Sequence, residues 1–67
     1  MDGNRYHVRE AGKGVVEIID PSGEVVHARA CGSEDEARTY ASTVRQHIGW
    51  LSEARFREYY RLPEQGG

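Results

Sequence analysis

His7 and Arg9, then Glu17, then His27 and Arg29 are the residues whose types and spacing could do chemistry. Residues two apart share one face of a strand. On three neighbouring strands with that face turned to solvent, His7, Glu17 and His27 would supply two imidazoles and a carboxylate, the donor set of a catalytic zinc. Arg9 and Arg29 would sit beside them, and arginines on an exposed sheet can meet phosphates or guanine edges in a DNA groove. The same five residues also make an ordinary solvated face on which Glu17 pairs with arginine. That plain reading is favoured. Glu17 puts a carboxylate at the centre of the face, no aromatic is there to stack on a base, and the formal charge of the chain is −2. A nucleic-acid role through His7, Arg9, His27 and Arg29 is kept as the alternative function, and no metal or other cofactor is expected.

Nucleophilic catalysis has less to work with. Cys31 would need a neighbouring histidine or cation to lower its pKa, and a small cysteine before a helix start usually packs. The serines fall in turn and cap contexts, and Gly12-Lys13-Gly14 is too short to cradle a phosphate. A chain of 67 residues also lacks walls for a pocket of about 300 Å³ or more. The sequence reads as non-enzymatic, with no small-molecule substrate.

The densest feature is aromatic. Trp50, Phe56, Tyr59 and Tyr60 fall within eleven residues and are interleaved with Arg55, Arg57 and Arg61. Trp, Tyr and Arg are the residue types that dominate interface hot spots. A helix over 34–48 would be about 22 Å long, already the length of a five- or six-residue strand, so the chain beyond it must fold back or project. Phe56 or Tyr59 is expected to cap the open end of the core, but one small sheet cannot bury both faces of the segment. Trp50, Arg55, Phe56, Arg57, Tyr59 and Tyr60 are therefore the expected contact surface for a protein partner, most simply a second copy of the chain in a homodimer.

The elements that must position these residues are set by periodicity. Tyr6 to Glu10 alternates, with Tyr6 and Val8 on one face and His7 and Arg9 on the other. Val15 to Ile19 is β-branched throughout except for Glu17, so Val16 and Ile18 point inward. Asp20-Pro21-Ser22-Gly23 has the residues of a type I turn and predicts a tight hairpin. The returning strand, Glu24 to Ala30, puts Val26, Ala28 and Ala30 on one face and Val25, His27 and Arg29 on the other. The two alanines would leave room for a helix to lie close. Ser33-Glu34-Asp35-Glu36 is a capping box, and Ala37, Tyr40, Ala41, Val44, Ile48 and Leu51 form the apolar stripe of the helix it starts. Gly49, with Ser52 after it as an N-cap and Leu51 and Phe56 as a hydrophobic staple, favours a kink or break over a continuous helix to Arg61. Pro63 ends either version.

Size and composition bound the rest. Nine basic and eleven acidic residues exclude a polybasic nucleic-acid binder, and no run approaches a membrane helix of roughly 18 apolar residues. The polar start without an apolar stretch behind it predicts a cytoplasmic protein. One cysteine allows neither an internal disulfide nor a zinc knuckle. Eight arginines against the single Lys13 suggest a GC-rich bacterial origin.

The stretches Gly23-Glu24-Val25-Val26-His27, Ser33-Glu34-Asp35-Glu36-Ala37 and Ala41-Ser42-Thr43-Val44-Arg45, in this order, resemble the YegP-like family of small bacterial domains. The chain has Cys31-Gly32 where that family has a tyrosine before its helix, and Thr39-Tyr40 in place of a glycine-isoleucine pair. The resemblance implies a hairpin succeeded by a serine-capped helix and no particular mechanism. The fold expected is α+β: a three-stranded antiparallel β-meander packed on a C-terminal helix that is kinked or broken near Gly49. Residues 1–62 would form one β-β-β-α(α) domain, with 63–67 as a flexible tail. The function expected is that of a small bacterial or phage regulator or adaptor working through protein interaction.

Overall fold

The computed structural model describes residues 4–63. The expected tail over 63–67 and the terminal glycines therefore lie, apart from Pro63, outside the described residues. Three strands, β1 (His7–Gly12), β2 (Val15–Ile19) and β3 (Val25–Ala30), form an antiparallel sheet in the order β1-β2-β3, with α1 (Glu34–Trp50) and α2 (Glu53–Tyr60) after it in the chain. This is the α+β meander with a broken C-terminal helix that the sequence predicts.

The β2–β3 hairpin is built as its residues dictate. The Gly23 amide donates to the Asp20 carbonyl at 2.9 Å, closing the turn, and Gly23 takes φ +99°, a value a Cβ would strain. The Asp20 carboxylate is buried and accepts from the Ser22 amide, the Ser22 hydroxyl and the Glu24 amide at 2.7–3.0 Å. These bonds, the Ser22 hydroxyl first, hold its pKa below the usual aspartate value.

β3 departs from simple alternation. Ile18 pairs with His27 but Ile19 pairs with Val25, so Val26 is an extra residue, a β-bulge. Beyond it the side chains change faces relative to the sequence reading. His27 and Arg29 lie opposite the inward Ile18 and Val16, whereas Ala28 lies opposite the outward Glu17. Val26 itself packs against the core. A second irregularity at Ala11 loosens β1, so each edge strand carries a bulge, a device that discourages edge-to-edge pairing.

The helices cover one side of the sheet. Val16, Ala37 and Ala41 form one fully buried cluster, and Tyr6, Ile18, Val44 and Phe56 form another; Val8 and Tyr40 pack against both. The alanines that allow close approach are thus Ala37 and Ala41 on α1, whereas Ala28 and Ala30 are exposed. α1 lies across β1 and β2, leaving β3 largely without a helix over it. Its start is the expected cap with one change. The Ser33 hydroxyl accepts from the Glu36 amide at 3.1 Å, but the Glu36 carboxylate reaches the Gly32 amide, at 2.8 Å, instead of that of Ser33. Gly32 makes this possible, because a Cβ there would stand 2.8 Å from the same carboxylate oxygen.

α1 runs through Gly49 and ends at Leu51, whose backbone is extended at φ −105° and ψ 147°. The break therefore comes two residues after the glycine. Ser52 caps α2 by accepting from the Arg55 amide at 3.2 Å, and Leu51 packs on the cluster that contains Phe56, as a hydrophobic staple should. α2 stops in a Schellman motif. The Leu62 amide donates to the Arg57 carbonyl at 2.8 Å and the Arg61 amide to Glu58, with Arg61 left-handed at φ 56°.

Candidate functional site

The break at Leu51 turns α2 back against the last turn of α1 and forms a corner. His47 and Trp50, one helical turn apart, come from α1; Tyr59 and Tyr60 come from the end of α2. The His47 ring is the hub. Its centroid is 4.7 Å from that of Tyr59, 5.7 Å from Tyr60 and 6.3 Å from Trp50. Tyr59 and Trp50 meet it edge-on, at 63° and 65°, and Tyr59 and Tyr60 lie 5.0 Å apart.

The four aromatics of this segment differ in exposure. Phe56 is fully buried, 5.1 Å from Tyr6 and 4.8 Å from Tyr60. It is a core residue, which removes it from the contact surface expected of it; burying a phenyl ring of this kind contributes about 2–3 kcal/mol. Tyr60 is half-buried and packs against the same core. Burial, then the neighbouring Tyr40 and Tyr59, pushes the Tyr60 hydroxyl up to about 12, so it keeps its proton; its oxygen lies 2.6 Å from the His47 Nδ1, within hydrogen-bond distance. Trp50 and Tyr59 remain 75% and 63% exposed. Arg55 is exposed one turn before Tyr59 on α2. Arg57 is half-buried, acts on Glu53, and lines an open cleft with Arg55, Glu58 and Leu62. The structure thus brings Trp50, Tyr59 and Tyr60 together around His47, with Arg55 one turn before Tyr59 on α2, and takes Phe56 into the core.

The N-terminal segment braces this corner. Arg5 binds the Glu53 carboxylate through its backbone amide at 2.9 Å and its guanidinium Nε at 2.7 Å, and the Asn4 amide reaches the Leu51 carbonyl at 3.3 Å. The Arg5 hydrogen bond holds the Glu53 carboxyl below its ordinary value. An open cleft of 990 Å³, larger than the pocket of about 300 Å³ for which the sequence predicts no walls, lies against these residues, lined by Asn4, Arg5, Gly49, Trp50, Leu51 and Glu53 among others.

The second surface read from the sequence is divided by the β3 bulge. His7, Arg9 and Glu17 stay on the outer face, where the Arg9 guanidinium binds the Glu17 carboxylate, Nε to Oε1 at 3.0 Å. His27 and Arg29 stand on the helix side, and the Arg29 guanidinium lies 4.9 Å from the centre of the Tyr40 ring. The four-residue nucleic-acid face His7, Arg9, His27 and Arg29 is therefore not assembled. For the same reason His27 cannot join His7 and Glu17 around one ion, and no group of three potential ligands gathers among the described residues. On β3 the outer face carries Val25, Ala28 and Ala30 instead. Cys31 is half-buried against the cluster of Val16, Ala37 and Ala41, in a packing role.

His47 is the site residue that sequence reasoning passes over. Its three-residue spacing to Trp50 is visible in the chain, but its role as hub depends on α2 folding back, which spacing within α1 does not show. Compared with family models, with curated proteins and with solved structures, the chain matches none.

Proposed function

We propose that the protein is a non-enzymatic interaction module, a small regulator or adaptor of the bacterial cytoplasm, which docks a protein partner at the α1–α2 corner through Trp50, Tyr59 and Arg55. The observation that carries this reading is the exposure of Trp50 and Tyr59. In a chain with few large side chains to bury, two of its largest are kept in solvent while Phe56 and Tyr60, their neighbours in the same segment, are packed inward. Tyr60 and His47 give the exposed rings a fixed backing, and exposed aromatics held by a rigid base are the usual anchors of an interface. No helix among the described residues is long and apolar enough to cross a membrane.

Affinity capture from the native host with wild-type, Trp50→Ala and Tyr59→Ala baits tests the proposal. Both residues are mostly exposed, so the variants are expected to fold, which circular dichroism checks. Each substitution should lower recovery of a specific partner about tenfold, the loss expected of a hot-spot aromatic. Unchanged recovery by both folded variants would remove the corner from consideration.

A further inference from the structure

Resting on this docking reading, we propose that the occupant of the corner is a proline-rich segment in the polyproline II conformation. Area supplies the first argument. Trp50 is 75% and Tyr59 63% exposed; since a large aromatic offers on the order of 150–250 Å², the two rings present roughly 300 Å². A stable protein–protein interface takes about 800 Å² from each partner. Among the described residues the other exposed large hydrophobic, Val25, stands on the face of the sheet opposite the helices and cannot extend the patch. Both edge strands carry bulges, so strand pairing does not make up the difference. The rings suit a narrow ligand better than a second copy of the chain.

Hydrogen-bond polarity supplies the second argument. The Trp50 indole N–H and the Tyr59 hydroxyl make ring contacts with His47 but have no hydrogen-bond partner among the described residues. The two rings therefore offer donors, since an indole donates only and a hydroxyl can, and Arg55 adds a guanidinium one turn before Tyr59 on α2. A proline-rich strand is complementary, because it exposes carbonyl oxygens and has few amide protons of its own.

Packing and entropy agree with both. Trp50 and Tyr59, from two different helices, each pack on the His47 ring, so a single imidazole backs both exposed rings. A contact this small cannot order a flexible peptide and still leave useful affinity. A polyproline II segment is ordered before it binds.

Trp50 is the only tryptophan in the chain, so its fluorescence reads the site directly. Titration with a ten-proline peptide should shift Trp50 emission saturably, with half-saturation at about 1 mM or below, while a glycine-serine peptide of equal length has no effect. Tyr59→Ala should weaken the proline titration about tenfold, and Tyr59→Phe, which keeps the ring and loses the donor, should weaken it less. If decaproline leaves Trp50 unmoved at about 5 mM, while Trp50→Ala and Tyr59→Ala still release the host partner, the proline proposal falls and the docking reading stands. If neither substitution alters partner recovery and decaproline does nothing, both fall. A Trp50 shift that depends on protein concentration without peptide would assign the corner to a second copy and also overturn the proposal.

Discussion

Replacing Tyr6 by Phe should stabilise the protein, although it removes a polar group from the most tightly packed part of the core. Tyr6 is 2% exposed, and its hydroxyl is buried without a hydrogen-bond partner among the described residues. Its ring, by contrast, is well used, packing with Ile18, Val44 and Phe56. A buried hydroxyl stripped of water and given no partner costs about 1–3 kcal/mol. Tyr6→Phe removes that cost and leaves the ring contacts in place, losing only the dispersion contacts of one oxygen, a few tenths of a kcal/mol. The net gain should be about 1 kcal/mol, or about 4–8 °C in Tm for a domain of this size. Urea denaturation monitored by circular dichroism reads it as a higher midpoint at unchanged slope. Tyr6→Leu is the control, and should destabilise because it gives up the ring stacked on Phe56. A loss of stability in Tyr6→Phe at unchanged slope would refute the reasoning, since it would mean that the hydroxyl is bonded to water or to a residue outside 4–63.

The backbone and Asp20 supply three further expected outcomes. Gly49 lies inside α1, and a Cβ built there meets nothing within 4 Å, so Gly49→Ala should add about 0.5–1 kcal/mol in the same denaturation assay. Arg61 holds the left-handed end of α2 at φ 56°, and Arg61→Gly should gain up to about 1 kcal/mol by relieving its Cβ; a loss would show that the Arg61 side chain contributes more than its backbone costs. The Asp20 pKa is depressed in the folded state, so its contribution is present above the unfolded value of about 3.9 and is lost as pH falls through the folded value. Asp20→Asn should therefore be less stable than wild type at neutral pH, and the gap should close below about pH 4; a gap that is constant from pH 7 to pH 2.5 would show that the carboxylate charge is not what matters.

The sequence made local chemistry of short reach legible. The turn at Asp20, the Ser33 cap and the Ser52 cap with its Leu51–Phe56 staple each involve residues within five positions, and each is present in the structure. The faces of β3 were not legible. Alternation is a period-two rule, and one inserted residue inverts everything beyond it; Val26 is as β-branched as its neighbour Val25 and nothing in its type marks it as the bulge. That single residue separates His27 and Arg29 from His7 and Arg9, and with them the nucleic-acid and zinc geometries. Burial within the aromatic cluster was only half legible, because the sequence shows that one face of the segment must stay outside without showing which ring goes in.

Stability and exposure at the corner come from the same device. Had the helix continued to Arg61, Trp50 and Tyr59 would lie nine residues apart, two and a half turns, and therefore on opposite sides of one rod. The extended backbone at Leu51 breaks that relation. Leu51 and Phe56 fill the open end of the core, Ser52 satisfies the start of α2, and the reversal brings Tyr59 to the same imidazole that Trp50 touches. Arg5 and Asn4 then hold the junction from the N-terminal side. The site thus depends on the break. A substitution that lets α1 run through residue 51 would separate the two exposed rings without altering either, so the geometry that stabilises the fold also sets the spacing of the proposed docking surface.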